Sequence, residues 1–281
     1  MFSIPKPSET NNEPQSLQFS FFDYVYSLAS PSNRKTTIIL LYTVIALSVW
    51  KYIPSSEHFI DPSTGTCLLS SFTSVDTITS EVKPLDGKHS SHISFLQFLW
   101  NSRKIWAAFF IMGVFPVVIV KFCFKENLAD YGLGKGLFKR TLKNTCIFLP
   151  IMLVLGWISG FDKAFYTVYP FNPLAGISWP ALIIHSTMYL FLYYLAWEFM
   201  FRGFLQLGLA SQIGSVPAIL LQVLASTMLH YGHPASETFG CIAGGLLWGF
   251  LVYRTKSIYS GWIQHALLGI SLDWSLVLNS I

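Results

Sequence analysis

Long apolar runs separated by short polar connections dominate this sequence. A helix needs about 20 consecutive, mainly apolar residues to cross the hydrocarbon core of a bilayer. Seven runs reach or approach this length, at residues 36–53, 105–124, 146–161, 179–210, 215–230, 237–253 and 257–278. The pattern predicts an all-α fold, a polytopic membrane helix bundle of about seven transmembrane helices.

The composition agrees with this class. Hydrophobic residues make up 52% of the 281 positions, charged residues only 11%, and the mean hydropathy is +0.50. A soluble domain usually has about 25% charged residues. The composition therefore argues against a soluble protein and makes the lipid bilayer its expected surroundings.

Basic residues concentrate in three connections. They are Arg34 with Lys35, six residues between 121 and 143, and Arg254 with Lys256. Lys and Arg accumulate on the cytoplasmic side of membrane proteins, and threading seven spans puts all three clusters on one side. The N-terminus is therefore predicted to be cytoplasmic, at the cell (inner) membrane. The net charge of +4 fits these loops and indicates no nucleic-acid partner.

Three regions follow from this pattern. Residues 1–35 form a polar N-terminal segment without a cleavable signal, and 36–124 hold two spans around a polar, non-cytoplasmic loop at 54–95. Residues 125–281 hold the candidate chemistry. The aromatic stretch 17–28 predicts either an interfacial helix or irregular chain. Four cysteines show no metal or redox spacing and are interpreted as small apolar residues.

Two opposite charges lie in the middle of the fourth run, in LAWEFMFRGFLQ. An ionisable residue at the centre of a membrane helix costs about 2.5–3.5 kcal/mol, so such residues usually face the protein interior and indicate function. Glu198 and Arg202 are four residues apart with the acid first, the helical spacing at which opposite charges meet. A purely structural ion pair is the alternative interpretation.

Histidines in two later runs fall at a similar depth. With a turn near 211–214, Glu198 lies about 20 Å and His230 about 25 Å along their helices from that turn. His265 lies about 14 Å from the same side. The sequence therefore predicts that a carboxylate and two imidazoles converge on one intramembrane pocket. Such a set can remove a proton from water and stabilise the oxyanion of a tetrahedral intermediate.

The motifs resemble the CAAX prenyl protease and bacteriocin-processing (CPBP, or Abi) family of intramembrane glutamic endopeptidases. That family has EExxxR, then FxxxH, then a final His with Asn four residues later. WEFMFRG, STMLH and HALLG take these places here, and the resemblance covers residues 125–275. It implies a membrane-embedded endopeptidase that needs no metal or other cofactor and cleaves a membrane-tethered peptide or protein.

The chain departs from the family pattern at three positions. Trp197 replaces the first glutamate, Ser226 replaces the aromatic of the second motif, and Gly269 replaces the final Asn. Two interpretations follow. Either Glu198 takes over as base, with Glu237 as a second carboxylate near the pocket, or the chain keeps the fold without the chemistry.

The active interpretation gives each polar group a role. Glu198 and His230 activate water, Arg202 positions Glu198, and His265 polarises the scissile carbonyl. Further candidates for lining the site are Trp197, His233, Glu237, Gly269 and Asp273. Asp273 returns to nearly the same helical face two turns after His265, and it either lines the cavity or approaches the far interface.

Other functions remain open at this stage. Two histidines and a carboxylate can hold zinc, but no HExxH helix occurs, so the sequence favours a metal-free site. A small transporter also uses intramembrane Glu and His, although it usually shows inverted repeats. An inactive family member would act as a membrane scaffold or immunity protein. The substrate, its prenylation and the oligomeric state stay open.

Overall fold

The computed structural model describes residues 27–28, 30–53 and 95–279, which form helices and turns without any strand. Three short 3₁₀ segments lie in the connections, at Leu128–Tyr131, Lys163–Thr167 and Pro173–Ile177. Within the described ranges we number eight helices: α1 Arg34–Tyr52, α2 Phe95–Asn101, α3 Arg103–Phe124, α4 Phe138–Ser159, α5 179–213, α6 Ser215–Leu229, α7 Ala235–Thr255 and α8 Tyr259–Asn279. The predicted all-α fold is confirmed, and each predicted run corresponds to one helix.

The chain divides into two compact units, Met1–Ile38 and Ile39–Ile281. In the first unit, the Asn33 side chain donates to the carbonyl oxygen of Ser27 just before α1 begins. The predicted interfacial segment 17–28 lies outside the described residues except for its last two, and the polar loop 54–95 except for its last one. All contacts described below lie within the second unit.

Lipid-facing surfaces identify the protein as a membrane protein. Helices α3, α4 and α7 are long and apolar enough to cross a membrane. On α4, four apolar side chains at helical spacing are each at least half exposed: Ile147, Ile151, Val154 and Ile158. Water would disfavour such a row, whereas a bilayer accommodates it. The predicted helical membrane bundle is confirmed; a crossing by all seven runs stays a prediction.

Helix α5 lies at the centre of the bundle. Residues 199–206 are all buried, as expected for a helix that is hydrophobic on every side. Two π-helical segments, Tyr189–Tyr194 and Phe199–Leu207, flank the α-helical Leu195–Glu198. Wider turns of this kind often occur at functional sites. The two segments here lie directly before and after the α-helical turn that ends at Glu198.

Helix α7 packs closely against α5 and α6 through glycines. The side-chain amides of Gln206 on α5 and Gln222 on α6 donate to the carbonyl oxygens of Gly249 and Gly245, each at 2.8 Å. A side chain at Gly249 would begin 2.8 Å from the Gln222 amide nitrogen. By contrast, a side chain at Gly240 would meet nothing within 4 Å. Close helix approach therefore depends on the two inner glycines.

Helix α8 is fixed against α4. The hydroxyls of Ser271 and Ser275 donate to the carbonyl oxygens of Leu153 and Trp157, each at 2.8 Å. A side chain at Gly156 would overlap the α8 backbone. These contacts set the rotation of α8 and so direct His265 toward α5.

Two connections that carry basic residues meet at one end of the bundle. The Leu137 amide donates to the Thr255 carbonyl oxygen at 2.8 Å, and the Ile258 amide donates to that of Gly132 at 3.0 Å. This places residues 125–137 beside 256–258, as expected for loops on one side of a membrane. Lys51 lies with the ends of other helices, where it donates to the carbonyl oxygens of Leu229 and Tyr231.

Candidate active site

A buried carboxylate connects α5 with α8. Glu198 is fully buried, and its Oε1 accepts hydrogen bonds from Arg202 Nη1 at 3.0 Å and from His265 Nδ1 at 2.8 Å. The second oxygen, Oε2, is buried and has no hydrogen-bond partner among the described residues. The predicted pairing of the acid with Arg202, and its approach to the last histidine, are both present.

Aromatic stacking and a glycine hold this group in place. The His265 ring stacks on Trp248 with centroids 4.4 Å apart, and the Arg202 guanidinium lies 5.5 Å from the centroid of the same indole. The indole nitrogen of Trp248 donates to Gln264 at 3.1 Å. A side chain at Gly261 would begin 2.8 Å from Glu198 Oε2. The carboxylate therefore has little freedom to turn away from His265.

A second polar cluster lies where α6 ends and α7 begins. Glu237 Oε1 accepts from the Tyr169 hydroxyl at 2.6 Å and from His233 Nδ1 at 3.0 Å, and lies 3.6 Å from His230 Nε2. Tyr169 comes from the connection between α4 and α5, which folds back over the site. Burial of the Tyr169 hydroxyl and, after it, the nearby Glu237 carboxylate raise the pKa of this tyrosine well above its ordinary value.

The His230 ring has a defined tautomer. Its Nδ1 lies 2.8 Å from the Ser226 carbonyl oxygen, which can only accept, so Nδ1 carries the proton and Nε2 faces Glu237. The side chains of His230, His233 and Glu237 are 11%, 12% and 14% exposed. Unlike Glu198, this second acid has a partly exposed side chain, while its Oε2 is buried and has no hydrogen-bond partner among the described residues.

The Trp197 indole separates the two clusters. Its ring lies 5.7 Å from the His230 ring and 6.3 Å from the His265 ring, centroid to centroid, and it is 2% exposed. The sequence predicted one pocket for Glu198, His230 and His265. The structure pairs His265 with Glu198 and pairs His230 with Glu237, on opposite sides of the position where the family pattern has its first glutamate.

Asp273 belongs to neither cluster. It lies 2.9 Å from His185 Nε2, and both side chains are buried. The sequence interpretations, a cavity-lining or interfacial Asp273, did not foresee this pair. In the part of the chain that the structure describes, no group of three or more His, Cys, Asp or Glu residues is arranged to hold a metal ion.

Two tyrosines near the site were missed by the sequence reasoning. Tyr194 packs against His265 with ring centroids 4.6 Å apart, and its hydroxyl fills the space that a side chain at Gly269 would occupy. The sequence did contain a signal for Tyr194: it precedes Glu198 by four residues, just as Arg202 follows Glu198 by four, so all three lie on one face of a helix. Tyr169, which bonds Glu237, carried no such signal because it lies outside the apolar runs.

Comparison with known proteins identifies one family. Residues 179–270, which are 92 of the 281 positions, match the family described as type II CAAX prenyl endopeptidase Rce1-like. The matched segment includes Glu198, His230, Glu237 and His265, and the predicted recognition of the CAAX protease family is confirmed there. No curated protein and no solved structure matches the chain.

Proposed function

We propose that this membrane protein, whose residues 179–270 match the type II CAAX prenyl endopeptidase family, is an intramembrane endopeptidase. It would hydrolyse a peptide bond of a membrane-associated peptide or protein with water activated by a carboxylate and an imidazole. One observation carries the proposal. Glu198 and His265, 67 residues apart on different helices, share a hydrogen bond inside the bundle.

A purely structural ion pair explains this arrangement less well. Removing a charged group from water costs several kcal/mol, which the partner charge must offset. Arg202 alone would neutralise Glu198, yet the same oxygen also binds an imidazole whose side chain is 15% exposed. A carboxylate that orients a partly accessible imidazole is the arrangement used for proton transfer and oxyanion binding in hydrolases.

The geometry favours a division of roles between the two clusters. Glu198 is fully buried and held by two donors, so we assign it to orient His265 rather than to remove a proton from water. His230 Nε2 and Glu237 Oε1 lie 3.6 Å apart, too far for a strong direct hydrogen bond. That spacing and the partial exposure of both side chains favour a water beside them, within hydrogen-bond reach of both atoms, with this pair as the base.

Hydrolysis then follows with a complete proton balance. The Glu237–His230 pair takes a proton from water while the water oxygen bonds to the scissile carbonyl carbon. The carbonyl electron pair moves to its oxygen, and the proposal requires His265 to be protonated at this step so that its Nε2–H donates a hydrogen bond there. The Glu198 carboxylate on Nδ1 stabilises that imidazolium. When the C–N bond breaks, the leaving amine receives the proton from the base pair.

The proposal also includes the substrate and the orientation of the protein in the membrane. The substrate is a peptide or protein that reaches the site from the bilayer, and no nucleic acid takes part. The basic connections at 125–137 and 256–258 would face the cytoplasm, together with the N-terminus, at a cell membrane. The Tyr169 connection would lie on the opposite side.

The test is cleavage of membrane-tethered fluorogenic peptides by purified protein in liposomes. We expect the wild type to cleave at least one peptide and His265→Ala to lose about 10²-fold or more in kcat. Ile151→Val, on the lipid-facing side of α4, is the control and should retain full activity. A folded wild type that cleaves no peptide in a broad panel contradicts the proposal. Solute uptake without cleavage would instead favour a transporter.

A further inference from the structure

We propose that the Tyr194 hydroxyl is the second hydrogen-bond donor to the oxyanion, beside His265. The proposal rests on the endopeptidase function above and names a residue that acts in it. Its basis is that the Tyr194 ring packs on the His265 ring while its hydroxyl fills the space left open by Gly269.

The absent side chain of Gly269 creates this space. Gly269 follows His265 by four residues and so lies on the same face of α8, one turn further along. Any side chain there would overlap the Tyr194 hydroxyl. The hydroxyl therefore occupies the place that a side chain at residue 269 would take, one helical turn from His265. Tyr194 and Gly269 form a complementary pair, one residue supplying the polar group and the other making room for it.

The Tyr194 ring is rigidly held. Its centroid lies 4.6 Å from His265, 4.9 Å from Tyr189 and 5.0 Å from Tyr193, the last two in edge-to-face contact. The residue ends the π-helical segment Tyr189–Tyr194, directly before the α-helical turn that carries Glu198. Because packing fixes the ring, the hydroxyl needs no reorganisation when charge develops on the substrate, which is the condition for effective oxyanion stabilisation.

A phenol suits this role chemically. A neutral tyrosine hydroxyl always carries its proton near neutral pH, whereas His265 donates from Nε2 only in its imidazolium form. The hydroxyl donates a hydrogen bond to the oxyanion and transfers no proton, so the proton balance of hydrolysis is unchanged. In a site largely closed to water, the loss of one such donor lowers kcat about 10²- to 10³-fold.

A packing role for Tyr194 predicts a different result. The Tyr194→Phe variant keeps the ring and its contacts with His265 and Tyr189 and removes only the hydroxyl. We expect kcat to fall about 10²- to 10³-fold, with KM and the thermal unfolding midpoint close to those of wild type. Tyr193→Phe is the matched control, because Tyr193 is an adjacent buried tyrosine whose ring does not pack on His265. That variant should keep wild-type kcat.

A compensating pair of substitutions tests the geometry directly. Gly269→Asn alone should be inactive, because the new side chain overlaps the Tyr194 hydroxyl. Tyr194→Ala alone should lose kcat as Tyr194→Phe does. In the double variant the Asn amide can enter the vacated space, and we expect at least tenfold recovery of kcat over Tyr194→Ala.

The outcomes separate this proposal from the one on which it rests. An active wild type together with a fully active Tyr194→Phe overturns the role of the hydroxyl and leaves the endopeptidase function intact. If Tyr194→Phe instead lowers the thermal unfolding midpoint together with kcat, Tyr194 has a packing role, and this result also overturns the proposed role of the hydroxyl. A folded wild type that cleaves nothing overturns both proposals.

Discussion

Trp197 determines how the charged side chains around it are paired. Its indole lies between the His230 and His265 rings, so a carboxylate at this position would be near both imidazoles. An indole cannot accept a proton from water, and each imidazole instead has its own acid, Glu237 or Glu198. In the mechanism proposed above, the base accordingly lies on the first turn of α7 rather than on α5.

This pairing predicts which acid is the base. Glu237→Gln should lower kcat about 10²- to 10⁴-fold, the range for loss of general-base catalysis. Glu126→Gln is the control, since Glu126 bonds Tyr131 in the connection that follows α3. Rates are measured with the same membrane-tethered peptide for each variant. Full activity of Glu237→Gln with complete loss in Glu198→Gln would restore Glu198 as the base, as the sequence alone indicated.

Helix packing decided which site residues could be predicted. The contact of Glu198 with His265 follows from sequence spacing, because both lie deep in long runs whose ends meet at one side. His230 was placed beside them by a rise of about 1.5 Å per residue from the turn near 211–214, but the π-helical segment Phe199–Leu207 lies between that turn and Glu198, so that rise does not hold there. The contact of Tyr169 depends on how the 160–178 connection folds back, which no local pattern encodes. Tyr194 was counted as apolar.

The close approach of α7 to its neighbours gives a prediction about stability. Gly249→Ala introduces a side chain 2.8 Å from the Gln222 amide, whereas Gly240→Ala adds one in open space. Alanine favours the helix over glycine by a similar amount at both positions, so the difference in stability between the two variants measures the cost of the overlap at residue 249. We expect Gly249→Ala to be less stable than Gly240→Ala by about 1–3 kcal/mol. Thermal unfolding in detergent measures this, and equal midpoints would show that α7 has room to move away.

At the scale of the whole molecule, the two polar clusters and the basic loops lie in different parts of the bundle. The hydrogen bond between Tyr169 and Glu237 joins the connection between α4 and α5 to the first turn of α7. Residues 132 and 258 are hydrogen bonded where the basic connections meet. If α5 and α7 cross the membrane as their apolar runs predict, these two regions belong to opposite sides. The partly exposed side chain of Glu237 then lies on the side opposite the basic connections.

Labelling of single cysteines tests this orientation. Lys135 and Lys163 are both exposed, the first in a basic connection and the second in the connection that carries Tyr169. In a cysteine-free background, Lys163→Cys should react with a membrane-impermeant thiol reagent on intact cells. Lys135→Cys should react only after the cells are permeabilised, because basic loops are retained on the cytoplasmic side. The reverse pattern would invert the topology. Labelling of both cysteines on intact cells would mean that α4, the helix that lies between them, does not cross the bilayer, which its length and apolar character argue against.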